Sequence, residues 1–317
     1  MILPALWVLG AIAGYVYALQ QNIPLATALR VLPAFLAELT FFYVLGSDKL
    51  RTRVEKWPPV TIAVALTLAA ILPYAEATAA LGCFSLRSLL IVAGLAAVVG
   101  FWYVLLPQRP ATDVLLLVFV GFIWLSRILA QQYTSPVPKL QLPALAQLMW
   151  FRTGVFAMVT IRKSHDVGFG LWPDKRHWRI GAIWFAVFLP IAAVVAWWVG
   201  FAKPRMPHGW ERASLLAVAT FFGVLWVLAL GEEFFFRGLL QQWMSSWLGN
   251  EWLGLIAASL IFGAAHLWFR SFPNWKIVPL AVLNGLCCGM AFRQTRSIRA
   301  SMVTHALVVT TWRVFFF

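Results

Sequence analysis

LLAVATFFGVLWVLALGEEFFFRGLL (residues 215–240) is an apolar run with three charges set near its end. About 20 apolar residues suffice for a helix to cross a bilayer, and this run exceeds that. A charged side chain at bilayer depth costs roughly 2.5–3.5 kcal/mol on insertion scales. Glu232, Glu233 and Arg237 therefore need partners or a task. In a helix, Glu233 and Arg237 are four apart, share a face and can pair. Glu232 is turned about 100° away, since a helix has roughly 3.6 residues per turn, and so can face a cavity. One carboxylate is held and its neighbour is free to work.

The rest of the chain extends this reading. Of 317 residues, 62% are hydrophobic and 11% charged, with 18 Trp and a mean hydropathy of +0.82. Soluble chains are roughly 45–50% apolar and about 25% charged, so the fold class is an all-α polytopic membrane protein. The net charge of +14 reads as loop Lys and Arg under the positive-inside rule, with attraction to anionic lipid. The expected partner is the lipid bilayer and not nucleic acid.

Apolar stretches predict helices near 3–19, 25–46, 59–81, 87–106, 114–131, 143–161, 179–201, 214–243, 254–268, 276–293 and 299–317, which gives ten or eleven spans. Asn22-Ile23-Pro24, Trp57-Pro58-Pro59, Pro107 to Pro110, Ser135 to Pro138 and Phe272-Pro273-Asn274 punctuate them. The N-terminus lacks the basic segment of a cleaved signal peptide, so 3–19 is expected to stay as a first span. Loops 48–57 and 162–179 and the cluster Arg293, Arg296 and Arg299 are basic and expected on the cytoplasmic side, leaving Lys203, Arg205 and Arg212 opposite. The N-terminal half carries Arg30, Glu38, Glu76, Arg127 and Arg152 at or near membrane depth. Arg30 and Arg127 are placed to snorkel. The carboxylates are expected to pair with Arg127 or Arg152, with a proton path as the alternative.

Two patterns follow the Glu pair. Phe262-x-x-x-His266 puts a ring and a histidine on one helix face, and His305 falls early in the last apolar helix. The other three histidines, His165, His177 and His208, fall in expected loops. A carboxylate in an apolar pocket is a stronger base than one in water, and a histidine beside it can share a water or protonate a leaving amine. A second histidine can donate to a developing oxyanion. These are the parts of a peptide hydrolase that forms no acyl-enzyme. No G-x-S-x-G occurs. Cys83, Cys287 and Cys288 form no metal or disulfide framework, and Cys287 and Cys288 read as packing residues. A zinc site of two His and a Glu is chemically possible, but H-E-x-x-H is absent, so no cofactor is expected. Gly285 and Gly289 have the spacing of close helix contact.

Glu232-Glu233-x-x-x-Arg237, Phe262-x-x-x-His266 and the late His305, in that order, resemble the motifs of the CAAX prenyl protease type 2 family, also called CPBP or Abi. The stretch from Leu283 to Leu307 also resembles that family's small residues, short basic turn and histidine-bearing helix. The similarity spans about 215–312. The resemblance implies that residues 141–317 form a CPBP-like intramembrane protease domain behind N-terminal helices, 1–140, of no assigned role. It implies that Glu232 and His266 activate a water, that Glu233 and Arg237 are a supporting pair, and that His305 stabilises the oxyanion. The expected substrate is a membrane-associated or lipidated protein or peptide, and the expected location the bacterial inner membrane.

One position departs from the pattern. The family commonly has Asn or Asp four residues after the last histidine, where this chain has Val309. Asn284 on the preceding helix is the first candidate for the missing donor, ahead of Thr310 and Thr311. The same departure keeps open a non-catalytic membrane scaffold of this fold, and the buried carboxylates keep open a proton-coupled transporter.

Overall fold

The computed structural model describes residues 2–164, 167–201 and 209–316, and only the backbone of Arg212. His165, Lys203, Arg205 and His208 lie outside the described residues, as does the side chain of Arg212. The long helices are α1 (Ile2–Gln21), α2 (Leu25–Gly46), α3 (Pro59–Ala80), α4 (Leu86–Leu105), α5 (Pro110–Leu125), α6 (Leu142–Ile161) and α7 (Lys175–Trp198). They continue with α8 (residues 210–247), α9 (Glu251–Ala265), α10 (Val278–Thr295) and α11 (Ile298–Phe315).

Each expected helix overlaps one of these, but 114–131 runs past the end of α5 at Leu125, across a turn at Arg127, into the separate short helix Ile128–Gln132. Among the described residues, eight helices are long and apolar enough to cross a membrane, against the ten or eleven expected. Helix α5 is apolar but shorter. Helices α10 and α11, which carry Arg293 and then Arg299 and Arg313, fall outside that set. The chain is an integral, multi-pass membrane protein.

The helices begin where local chemistry lets them. Pro59 and Pro110 sit in first turns, where a missing N–H costs no helical bond. Asp174 caps α7 by accepting from the His177 N–H at 2.9 Å. Asn250 caps α9 with two such bonds, of 2.8 and 3.2 Å. Ser85 and Ser297 cap α4 and α11.

The chain divides into two compact units, residues 1–164 and 165–317. Helix α6 lies in the first unit. A buried ion pair explains why. Arg152 of α6 meets Glu38 of α2 through two bonds, Nε–Oε1 at 2.6 Å and Nη2–Oε2 at 3.1 Å. Nη2 also donates to the Ala69 carbonyl at 3.1 Å. Pro73 lies inside α3 and has no N–H to offer that carbonyl four residues earlier, so the arginine takes the place of the missing helical bond. The expected pairing therefore holds for Glu38, with Arg152 as the partner. Arg127 is exposed at a turn between helices. Glu76 is half-buried, and its Oε2 has no hydrogen-bond partner among the described residues.

In the second unit, α7 packs against α10 and α11, and α9 against α8 and α10. Glycines set the closeness. A Cβ on Gly285 would lie 2.9 Å from Ser259 Cβ of α9, and one on Gly289 would lie 2.7 Å from Gln241 Oε1 of α8. The paired glycines thus serve packing within the bundle, seating α10 against two neighbours at once. Cys287 joins an apolar cluster with Phe188, Ala192 and Leu280.

Helix α8 is not uniform. Val224–Ala229 and Phe234–Gln241 are π-helical, on either side of the α-helical turn Leu230–Glu233. Such wider i→i+5 turns are rare and concentrate at functional sites. Here they flank the glutamate pair.

Candidate active site

The site is built on α8, α9, α10 and α11. Glu233 is fully buried, as is Arg237, and Arg237 Nε donates to Glu233 Oε2 at 3.1 Å. The i,i+4 pairing expected from spacing is present. The other oxygen, Oε1, lies 2.7 Å from His305 Nδ1. A carboxylate paired with Arg237 accepts, so that imidazole nitrogen carries the hydrogen and Nε2 points elsewhere.

Nε2 of His305 lies 3.8 Å from Glu232 Oε2. One imidazole therefore stands between both glutamates, bonded to one and facing the other. At 3.8 Å the second contact is longer than a hydrogen bond. Glu232 differs from its neighbour: its side chain is 29% exposed, and Oε2 is buried without a hydrogen-bond partner among the described residues. It is the unbound carboxylate of the pair.

His266 ends α9 and is half-buried. Its Nδ1 lies 2.8 Å from the Phe262 carbonyl, which only accepts, so this ring too is Nδ1–H with Nε2 available. The Phe262 ring connects the two histidines, with centroids 4.6 Å from His266 and 5.9 Å from His305. The Arg237 guanidinium lies over the same ring at 5.1 Å and over Phe236 at 5.9 Å. Rings supply part of what its terminal nitrogens lack in hydrogen bonds, since Nη1 and Nη2 have no hydrogen-bond partner among the described residues.

Asn284 is buried on α10, and its Oδ1 accepts from Cys288 Sγ at 3.4 Å. Val309 and Thr311 are half-buried, while Thr310 is buried with its hydroxyl unbonded among the described residues.

Two residues escaped the reading of the sequence. Cys288 is more than packing: its sulfur lies within 4.8 Å of ligand atoms of Glu233 and His305. Its neighbour Cys287 keeps the packing role. Gln241 is buried one turn beyond Arg237, with its Oε1 unbonded among the described residues and its amide donating to the Gly289 carbonyl at 3.4 Å. A glutamine directly after that apolar run, inside the expected helix 214–243, was the available signal.

Glu233, Cys288 and His305 have the burial and proximity of a three-ligand metal site. The donor set argues against one. Glu233 is already held by a guanidinium and an N–H, and the single S–H of Cys288 has two acceptors within reach, Asn284 Oδ1 and the Ser301 carbonyl. A cation there would have to displace all of these and sit beside Arg237.

Comparison with known proteins adds one result. The family model for type II CAAX prenyl endopeptidase Rce1-like proteins matches residues 213–311, which bears out the resemblance read from the motifs. That segment holds Glu232, Glu233, Arg237, Phe262, His266, Asn284 and His305. No curated protein and no solved structure matches the chain.

Proposed function

We propose that the second unit is an intramembrane endopeptidase that cuts a peptide bond of a membrane-associated or lipidated substrate, with Glu232 and His266 activating the water. The observation that carries this is the contrast between adjacent carboxylates. Glu233 is fully engaged by Arg237 and His305, while Glu232 is part-exposed with an unbonded oxygen facing the same imidazole. The matched family is one of endopeptidases, which supports the same reaction class.

In the reaction, Glu232 takes a proton from water as the water oxygen bonds to the substrate carbonyl carbon. The carbonyl electron pair moves onto oxygen, where His305 Nε2–H and the Asn284 amide receive it. An imidazolium at His305 brings the formal charge of Glu232, Glu233, Arg237 and His305 to zero, which suits a site taken out of water. The tetrahedral adduct then collapses, the C–N bond breaks, and the amine leaves with a proton returned through His266 or Glu232. One water is consumed, and a carboxylic acid and an amine result. No metal takes part, and no acyl-enzyme forms.

Asn284 supplies the donor that Val309 lacks. With Oδ1 occupied by the Cys288 thiol, the NH₂ end of the amide is the end left to donate. Asn284→Ala is expected to lower the cleavage rate by about 10²–10³-fold, the usual loss for one oxyanion donor. An unchanged rate in single-turnover assays would remove Asn284 from the site.

The identifying experiment compares membrane peptidomes of cells carrying wild-type and Glu232→Gln protein. Cut termini present only with the wild type support the protease and name its substrate. Identical peptidomes, with a biological role that survives Glu232→Gln, support the scaffold that Val309 keeps in view. A proton-transport reading has less to stand on, because Glu38 is tied to Arg152 by two bonds.

A further inference from the structure

Among the described residues of the second unit, unbonded buried side-chain atoms gather along α8. Those on α8 are Glu232 Oε2, Arg237 Nη1 and Nη2, and Gln241 Oε1. Arg237 is wholly buried and Gln241 is 4% exposed. Leaving such groups unpaired costs about 1–3 kcal/mol each, and more for charged ones. Donors and acceptors alternate along this row, acceptor at 232, donors at 237, acceptor at 241. Arg237 and Gln241 are four residues apart on the π-helical stretch Phe234–Gln241. The opposite wall is α10. There Gly289 leaves room for the Gln241 amide against its own backbone, and Cys288 faces Glu233 and His305.

We propose that the seam between α8 and α10 holds a chain of ordered water running from Gln241 past Arg237 to Glu232, and that Gln241 is a positioning residue for it. The chain satisfies the buried polar atoms, as buried waters with about three hydrogen bonds each commonly do. It also gives a site surrounded by apolar helices a local store of the reactant that hydrolysis consumes. The role in supply rests on the peptidase reading; the presence of the water does not.

The adjacent cysteines provide an internal control. Both are buried, but Cys287 sits in an apolar cluster and Cys288 borders the polar seam. Hydroxyl radicals generated by a synchrotron pulse in the intact protein oxidise side chains next to bound water. Cys288 is expected to be oxidised severalfold faster than Cys287, and Gln241→Leu to bring the two rates together. In peptidase assays, Gln241→Leu is expected to lower kcat by roughly tenfold, the scale of one lost hydrogen bond, with KM unchanged. Gln241→Glu, which keeps an acceptor, restores the difference in labelling.

Equal labelling of the two cysteines in the wild type would overturn the water chain. Unchanged labelling in a folded Gln241→Leu protein would overturn the role of Gln241. If Gln241→Leu does not fold, the wild-type ratio decides. Preferential labelling of Cys288 without any peptidase activity would leave the water chain standing and bring down the peptidase reading instead.

Discussion

Glu232→Gln is expected to lower the rate of peptide cleavage by about 10²–10⁴-fold, the range carried by a positioned general base, with little change in melting temperature. The amide has nearly the shape of the carboxylate but cannot take the water's proton. Its stability effect is small because the side chain is part-exposed and its Oε2 makes no hydrogen bond within the described structure. The measurement is single-turnover cleavage of the substrate that the peptidome comparison identifies, alongside thermal unfolding in detergent. A variant that cuts at the wild-type rate would remove Glu232 as the base.

The neighbouring substitution should behave in the opposite way. Glu233→Ala removes one partner of a fully buried pair, which typically costs about 3–5 kcal/mol because a charge is left uncompensated. Arg237 would keep only its ring contacts, as its terminal nitrogens already lack hydrogen-bond partners among the described residues. His305 would lose the acceptor that fixes its ring. The double substitution Glu233→Leu with Arg237→Met is expected to recover much of the lost stability, since an apolar pair of similar volume often replaces a buried ion pair without loss. It should not recover cleavage, because the imidazole is no longer oriented. Unfolding followed by circular dichroism checks both statements. A Glu233→Ala protein that melts with the wild type would show that the pair is not structural.

Much of this arrangement was legible in the sequence, and the reasons differ by residue. The helix start at Pro59 was readable from the proline itself, whereas the helices expected from 114, 179 and 254 begin at Pro110, Lys175 and Glu251, because the apolar runs set in a turn after their caps. The Glu233–Arg237 pair was readable from its spacing, being one turn apart. The meeting of His266 and His305 across the Phe262 ring depends on how α9 and α11 each pack on α10, which no spacing within either helix records. Gln241 and Cys288 were hidden likewise, because Gln241 of α8 is placed by Gly289 of α10 and Cys288 of α10 meets Glu233 and His305 of two other helices. The π-helical turns of α8 left no mark either, since an apolar run looks the same at either pitch. Which arginine Glu38 meets, across 114 residues, is likewise a tertiary fact.

That separation has a consequence for how the protein is made. Glu38 leaves the ribosome 114 residues ahead of Arg152, with α3, α4 and α5 synthesised in between. Through that interval α2 sits beside a translocating chain with its carboxyl group unmatched, and the Ala69 carbonyl on α3 has no donor. Both debts are settled together when α6 arrives. The nascent chain up to about residue 150 is therefore the fragile species, and the finished first unit is the robust one. Mutations that weaken α6 would be read by membrane quality control as an assembly that never closed.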